Sequence, residues 1–232
     1  MASRYVSVFS AITLFPGNRT DARLKIFITL NPSPILPPYD DDYNYTRLMT
    51  HIVKNITAES SSIITQMATE LHGGIGFLSE FPIERWHREA LITPIWEGAS
   101  NIQALDMLEA IMKKKAHIKM LLDFQDIISD ISDGRETADS CYMLLRDSID
   151  KILSMDNSQA QFHAKYLMDI MGNSMAAILL LHIGNETGNN DFIKVGKLYF
   201  QRYVKKEDYD KDAPESGESL IHIERQERSL KN

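Results

Sequence analysis

Leu48-Met-Thr-His-Ile52-Val-Lys-Asn-Ile56, continued by Ile63-Ile-Thr-Gln-Met67-Ala-Thr-Glu-Leu71 and stopped at Gly73-Gly74, is the stretch on which the fold turns. Its apolar residues recur at three-and-four spacing, the period that lines one face of an α-helix. The spacing predicts a helix over about 44–72 whose stripe is buried against other helices. The glycine pair suits the C-terminal cap, because glycine adopts a positive φ at little cost.

The same period continues downstream. A turn is expected near 83–89, after Pro82. A helix is expected over about 101–114, with Ser100 or Asn101 as its N-cap and Lys113-Lys-Lys115 favouring its C-terminal end. Further helices are expected near 116–131, 137–155, 158–184 and 190–204. Short polar turns divide them: Ser132-Asp-Gly134, Asp156-Asn157 and Gly188-Asn-Asn190. Amphipathic helices joined by short links make antiparallel neighbours, so the fold class is all-α, an antiparallel helix bundle. Upstream, residues 3–15 read as a short helix closed by Pro16-Gly17. Residues 22–30 read equally as a short helix or an extended run, and prolines break the chain between Pro32 and Pro38. From Lys205 onward the chain is polar, as a solvated tail is.

Composition narrows the function classes. The 232 residues are 44% hydrophobic and 25% charged, which excludes a disordered or low-complexity chain. The net charge of −7 opposes nucleic acid and anionic lipid. Residues 113–232 hold 17 Lys plus Arg against 20 Asp plus Glu, so that half is not basic either. The single cysteine, Cys141, excludes an internal disulfide, a paired-cysteine redox motif and a cysteine zinc cluster. It reads as a half-buried, inert thiol in a reducing compartment, hence a cytoplasmic chain. No apolar run approaches the roughly 20 residues of a membrane span; the longest is Met175–Leu181. Arg4 and the apolar residues 5–15 imitate a leader, but no small-x-small cleavage site follows.

The informative segment is Glu70-Leu-His-Gly-Gly-Ile-Gly-Phe77, then Phe81-Pro-Ile-Glu-Arg-Trp-His-Arg-Glu-Ala90, then Ile95-Trp-Glu-Gly-Ala-Ser-Asn-Ile-Gln103. The glycines follow a helix rather than a strand, so they are not a dinucleotide fingerprint of the βαβ type. Lacking a Cβ, they still let a backbone approach a phosphate or a ring. Glu97 stands just ahead of a helix, beside Trp96. As a surface carboxylate it complements a helix N-terminus. In an apolar cleft, burial would raise its pKa and the helix end would lower it, the opposed influences that tune a general base. Arg85 and Arg88 read as ion-pair partners of Glu84 or Glu89.

These three motifs, in this order, resemble the C-terminal helical domain of the acyl-CoA dehydrogenase family over about 43–115. Glu70 and the Ile-Trp-Glu-Gly form further resemble its bacterial alkylation-response branch. The later helices are similar to the extension carried by that branch and by very-long-chain members. The resemblance implies three parts: 1–115 as the family-type helical domain (1–42 poorly matched), 116–206 as the extension and 207–232 as a polar tail. It implies FAD as cofactor and an acyl-CoA as substrate, with Glu97 as the base that removes the α-proton. By the same resemblance, Gly98 would let the thioester and flavin lie close to the backbone. Glu70, Gly73 and Gly74 match a loop that reaches the cofactor's adenine side across a subunit interface, and Ala99 and Asn101 match positions that touch the cofactor.

The sequence departs from the family pattern in places. Glu70 replaces the more usual Gln, Ala99 the more usual Thr, and no Arg-x-x-Phe-Gly element is found. The N-terminal and middle β domains of the family have no counterpart here. Two readings follow. In one, the chain oxidises acyl-CoA together with a partner chain that supplies the missing flavin-binding domains. In the other, it is a non-catalytic helical module for self-association. Both imply a homo-oligomer, because a bundle without companion domains leaves apolar stripes bare. Neither implies a membrane or nucleic-acid partner.

Overall fold

A computed structural model describes residues 40–205; the expectations for 3–15, 22–30 and the tail beyond Lys205 fall outside them. Seven α-helices follow in order: α1 Asp41–His72, α2 Pro82–Ile92, α3 Ser100–Met112, α4 Ala116–Ser129, α5 Arg135–Leu153, α6 Asn157–Thr187 and α7 Asn190–Tyr199. A 3-10 turn, Gly73–Phe77, joins α1 to the loop before α2, and a π-helical turn, Phe200–Lys205, follows α7. The class is all-α, as the periodicity requires. Contacts divide the described residues into two compact units: 40–120 with 156–168, and 121–155 with 169–205. The divisions fall inside α4 and α6.

In the first unit, α1 begins where Asp40 accepts a hydrogen bond from the Tyr43 amide at 2.7 Å. It ends at Gly73, whose φ of +59° provides the expected cap. Helix α1 packs on α2 and α3. The segment expected as a turn at 83–89 is an 11-residue helix, with Pro82 in its first turn where a missing N–H costs nothing. Helix α3 starts at Ser100, but Ala99 holds the N-cap position and no side chain caps it. The Ser100 hydroxyl instead donates to Glu59 of α1 at 2.8 Å, and Lys165 pairs with the same carboxylate at 3.1 Å.

Only half of the α1 stripe is buried. Leu48 and Ile52 are closed off, whereas Ile63, Ile64, Met67 and Leu71 are exposed. The reason lies in the hydroxyls between them. Ser62 bonds the Ala90 carbonyl at 3.0 Å, Ser61 the Thr93 hydroxyl at 3.0 Å and Thr65 the His87 ring at 3.0 Å. A polar seam therefore faces α2 and turns the apolar side of this half outward.

The second unit leaves fewer large apolar side chains exposed. Phe124, Leu145, Ile149, Met171, Ile178 and Leu181 are fully buried or nearly so. Helices α6 and α7 approach through glycines. A Cβ on Gly184 would stand 2.5 Å from an Ile193 side-chain carbon and 2.9 Å from its amide nitrogen; one on Gly196 would stand 2.9 Å from the Leu181 side chain. Asn185 latches the α4–α5 turn, accepting from the Ser132 amide and hydroxyl and the Asp133 amide and donating to the Asp133 carbonyl. Cys141 is fully buried rather than half-buried, and burial pushes its thiol pKa up to about 12. Helix α6 corrects another expectation. It is long and apolar enough to cross a bilayer by length and composition, although most of its apolar window is buried. Judging by uninterrupted runs missed it because Lys165, Asp169 and His182 interrupt a helix whose average is still apolar.

Candidate functional site

The three motifs occupy consecutive elements of the first unit: the end of α1 with its 3-10 turn, α2, and the loop 93–99 with the start of α3. The glycines of the first motif differ in their reasons. Gly73 supplies the positive φ. Gly76 is buried, and a Cβ there would meet the Thr69 carbonyl oxygen at 2.5 Å. Gly74 has neither constraint: its φ is ordinary and nothing lies within 4 Å of where a Cβ would be. Glu70 is exposed, and Gln66 donates to its carboxylate at 3.4 Å.

Around this turn, and separately on the 93–99 loop, large apolar side chains stand open to solvent. Leu71 is 87% exposed, Phe77 81% and Trp96 66%; Ile75, Phe81 and Ile95 are exposed as well. In α2, Arg88 pairs with Glu84 at 3.1 Å across one helical turn, the ion pair expected for it.

The 93–99 loop carries Glu97 in the left-handed region, with φ +60°, followed by Gly98 at φ +102°. A non-glycine residue adopts that conformation rarely and at a cost. The loop is held from beneath. Lys54, on the buried side of α1, donates to the Gly98 carbonyl at 2.7 Å and to the Pro94 carbonyl at 3.2 Å. Gln103, buried in α3, donates through Nε2 to the Glu97 carbonyl. That assignment makes Gln103 Oε1 an acceptor, so His51 Nδ1, 2.7 Å away, is the donor. Desolvation lowers the Lys54 pKa below its ordinary value, while the nearby carboxylates of Glu97 and Glu59 pull it upward.

Glu97 itself is exposed. The apolar cleft expected around it is not closed by the described residues, since Ile95 and Trp96 are both largely open. Gly98 and Ala99 follow it directly, and Asn101 lies exposed in the first turn of α3. The structure thus brings Glu97, Gly98, Ala99 and Asn101 onto one loop-to-helix junction. Glu70, Gly73 and Gly74 form a separate corner at the end of α1. The sequence reading assigned no part to His51, Lys54 or Gln103. One signal for Lys54 was available: it sits between Ile52, Val53 and Ile56, where a solvated lysine does not belong. Among the described residues, no cluster of His, Cys, Asp and Glu is arranged to hold a metal ion.

Residues 40–112 match the family described as acyl-CoA dehydrogenase, C-terminal domain. The chain is 37% identical over 57 residues to the acryloyl-CoA reductase (NADH) of Anaerotignum propionicum, covering 25% of this chain and 14% of that protein. It is 35% identical over 78 residues to the cyclohexane-1-carbonyl-CoA dehydrogenase of Geobacter metallireducens, covering 34% of this chain and 20% of that one. Among solved structures, Caenorhabditis elegans ACDH-11 in complex with C11-CoA superposes with a TM-score of 0.60 at 20% identity. That likeness, one of fold alone, covers 77% of this chain and 31% of the other. The homology to acyl-CoA dehydrogenases therefore covers the C-terminal domain only, and the chain spans a fifth or less of the two curated relatives.

Proposed function

We propose that this chain contributes the helical part of an acyl-CoA dehydrogenase-type site, with Glu97 as the base, and acts together with flavin-binding domains supplied by a partner chain. The observation that carries the reading is the junction at 94–103: an exposed carboxylate on a left-handed turn, gripped from beneath and opening onto a bare apolar rim. A site shared between domains has this form, since the covering half must come from outside. Glu97 would take the α-proton of an acyl-CoA thioester as the α-carbon electron pair becomes the Cα=Cβ double bond. Gly98, without a side chain, leaves room for the thioester beside the backbone. Bound FAD would supply the acceptor for the β-hydride. Ala99 and Asn101 would touch the cofactor beside Glu97, and Glu70, Gly73 and Gly74 would reach the adenine side of a cofactor across a subunit interface; Gly74 fits that part, because a residue with ordinary φ and empty space above it needs no glycine for this chain's own packing. The seven-helix architecture is compatible with a member of the branch that carries a C-terminal extension.

The test is co-purification with a protein carrying the N-terminal and β domains, followed by flavin absorbance and dye reduction with acyl-CoA. A yellow complex that reduces dye is expected, and Glu97→Gln should lower turnover by at least ~100-fold. A colourless, inert complex rejects the reading.

The exposed set Leu71, Phe77 and Phe81 around the end of α1 favours a second reading, a non-catalytic module that self-associates through this corner. Light scattering of the purified chain should then give at least a dimer. The double substitution Leu71→Ser with Phe77→Ser should shift it toward monomer. In that case Glu97→Gln changes nothing.

A further inference from the structure

We propose that Lys54 and Gln103 are positioning residues that hold the 94–98 turn in its left-handed form. The purpose of the turn rests on the reading of Glu97 as the base; the grip itself does not.

Four observations converge. Glu97 adopts φ +60° without being glycine, so some other contact must stabilise the turn. Three carbonyls of the turn, those of Pro94, Glu97 and Gly98, accept hydrogen bonds from just two side chains. Both side chains are buried, Lys54 at 8% exposure and Gln103 at 6%, so solvent competes poorly for their donors. Both are anchored: Lys54 by the middle of α1, Gln103 by α3 and by the His51 ring. The cation bridges the two ends of the turn while the amide holds the carbonyl of its left-handed residue, Glu97. A buried ammonium is costly unless it finds acceptors. Oriented carbonyls provide them, and the nearby Glu97 and Glu59 carboxylates supply the opposite charge.

The geometry also explains the glycine at 98. A Cβ there would stand 3.0 Å from Gln103 Nε2 and 3.4 Å from an Ile102 side-chain carbon, and its φ of +102° excludes ordinary side chains. Enlarging this position would push against the residue that grips Glu97. The Glu-Gly pair and Gln103, six residues after Glu97, therefore form one mechanical unit, closed from the other side by α1.

The experiment uses the full chain and amide hydrogen exchange followed by NMR. The Ile95 and Trp96 amides are reporters, because both lie in the turn and donate to the Ile92 carbonyl at the end of α2, which ties the turn to that helix. Lys54→Met replaces a buried cation by an apolar side chain of similar length, so the fold should survive, as far-UV circular dichroism would show. Gln103→Leu is the second variant. In either, the two amides are expected to exchange at least ~10-fold faster, with amides of α5 and α6 unchanged. The Glu97 backbone shifts should leave the left-handed range. Lys54→Arg, which keeps the donors, should restore most of the protection. Unchanged exchange and unchanged Glu97 shifts in a folded variant overturn the proposal.

Turnover by the reconstituted pair separates the two claims. If wild-type chain is active, Lys54→Met should lower kcat by ~10-fold or more with KM little moved. If the pair is inert, the base reading falls, while the exchange data still decide whether the turn is held by these two residues.

Discussion

The motif-bearing part of the first unit and the helices of the second share one sequence period but do opposite things with it. In the second unit the stripe residues Leu145, Ile149, Ile178 and Leu181 are buried, and glycines at 184 and 196 let α6 and α7 meet closely. In the first, α1 buries Leu48 and Ile52 but leaves Ile63, Met67 and Leu71 bare, and the 3-10 turn and the 93–99 loop add Phe77 and Trp96. Large apolar side chains left in water carry a cost that burial would remove. The second unit encloses most of its large apolar side chains, whereas the motif region leaves many of its own open to solvent.

The largest test of this contrast is core truncation along a single helix. Leu48→Ala should destabilise by ~2–5 kcal/mol through lost burial and a residual cavity, whereas Leu71→Ala should stay within ~0.5 kcal/mol in urea denaturation. Equal losses at the two positions would erase the distinction between the halves of α1. Glycine substitutions come next. Gly184→Ala should cost ~1–2 kcal/mol, because the added methyl meets the Ile193 backbone. Gly74→Ala, with open space above it, should change the melting temperature little. If Gly74→Ala leaves folding intact yet weakens flavin retention in the reconstituted pair, the glycine serves a ligand rather than the fold.

Cys141 sharpens the comparison kinetically. With burial holding its thiol protonated up to about 12, a disulfide reagent at pH 8 should label the folded chain at least ~100-fold more slowly than the denatured one. Fast labelling of the native chain would show the second unit to be looser than its packing implies. The smallest effect is a pH dependence at Lys54. Its folded pKa lies below the ordinary 10.5, so between that lowered value and 10.5 the unfolded chain binds more protons. Stability contributed at this site therefore rises with pH across that window. The wild-type minus Lys54→Met difference in unfolding free energy should show the rise, and a flat difference would mean the ammonium is solvated after all.

Much of the fold was legible in the sequence because periodicity and punctuation are local. The α1 stop at Gly73 and the breaks at Gly134 and Gly188 all fall at glycines of positive φ. Helix α2 was underestimated because its apolar residues are few and its motif reads as polar. The burial of α1 was overestimated because a stripe specifies a face without specifying its partner, and the Ser61, Ser62 and Thr65 hydroxyls claimed the contact with α2 instead. At the candidate site, the order of the motifs, the Arg88–Glu84 pair and the place of Glu97 ahead of α3 could be read in advance. The clamp could not, since Lys54 and Gln103 lie 44 residues from Gly98 and six from Glu97 respectively, and only folding brings α1 and α3 to the same turn.

The amino-acid sequence alone determined the all-α class, the breaks at Gly73, Gly134 and Gly188, the single inert thiol and the identity of the motif residues. Each follows from spacing, φ preference or composition, which act within a few residues along the chain. Tertiary structure alone decided which side of α1 is covered, that Glu97 takes a left-handed backbone, and that a buried cation and amide hold it there. Those outcomes depend on which distant groups compete for a surface or a carbonyl, and that competition is settled only when the helices pack.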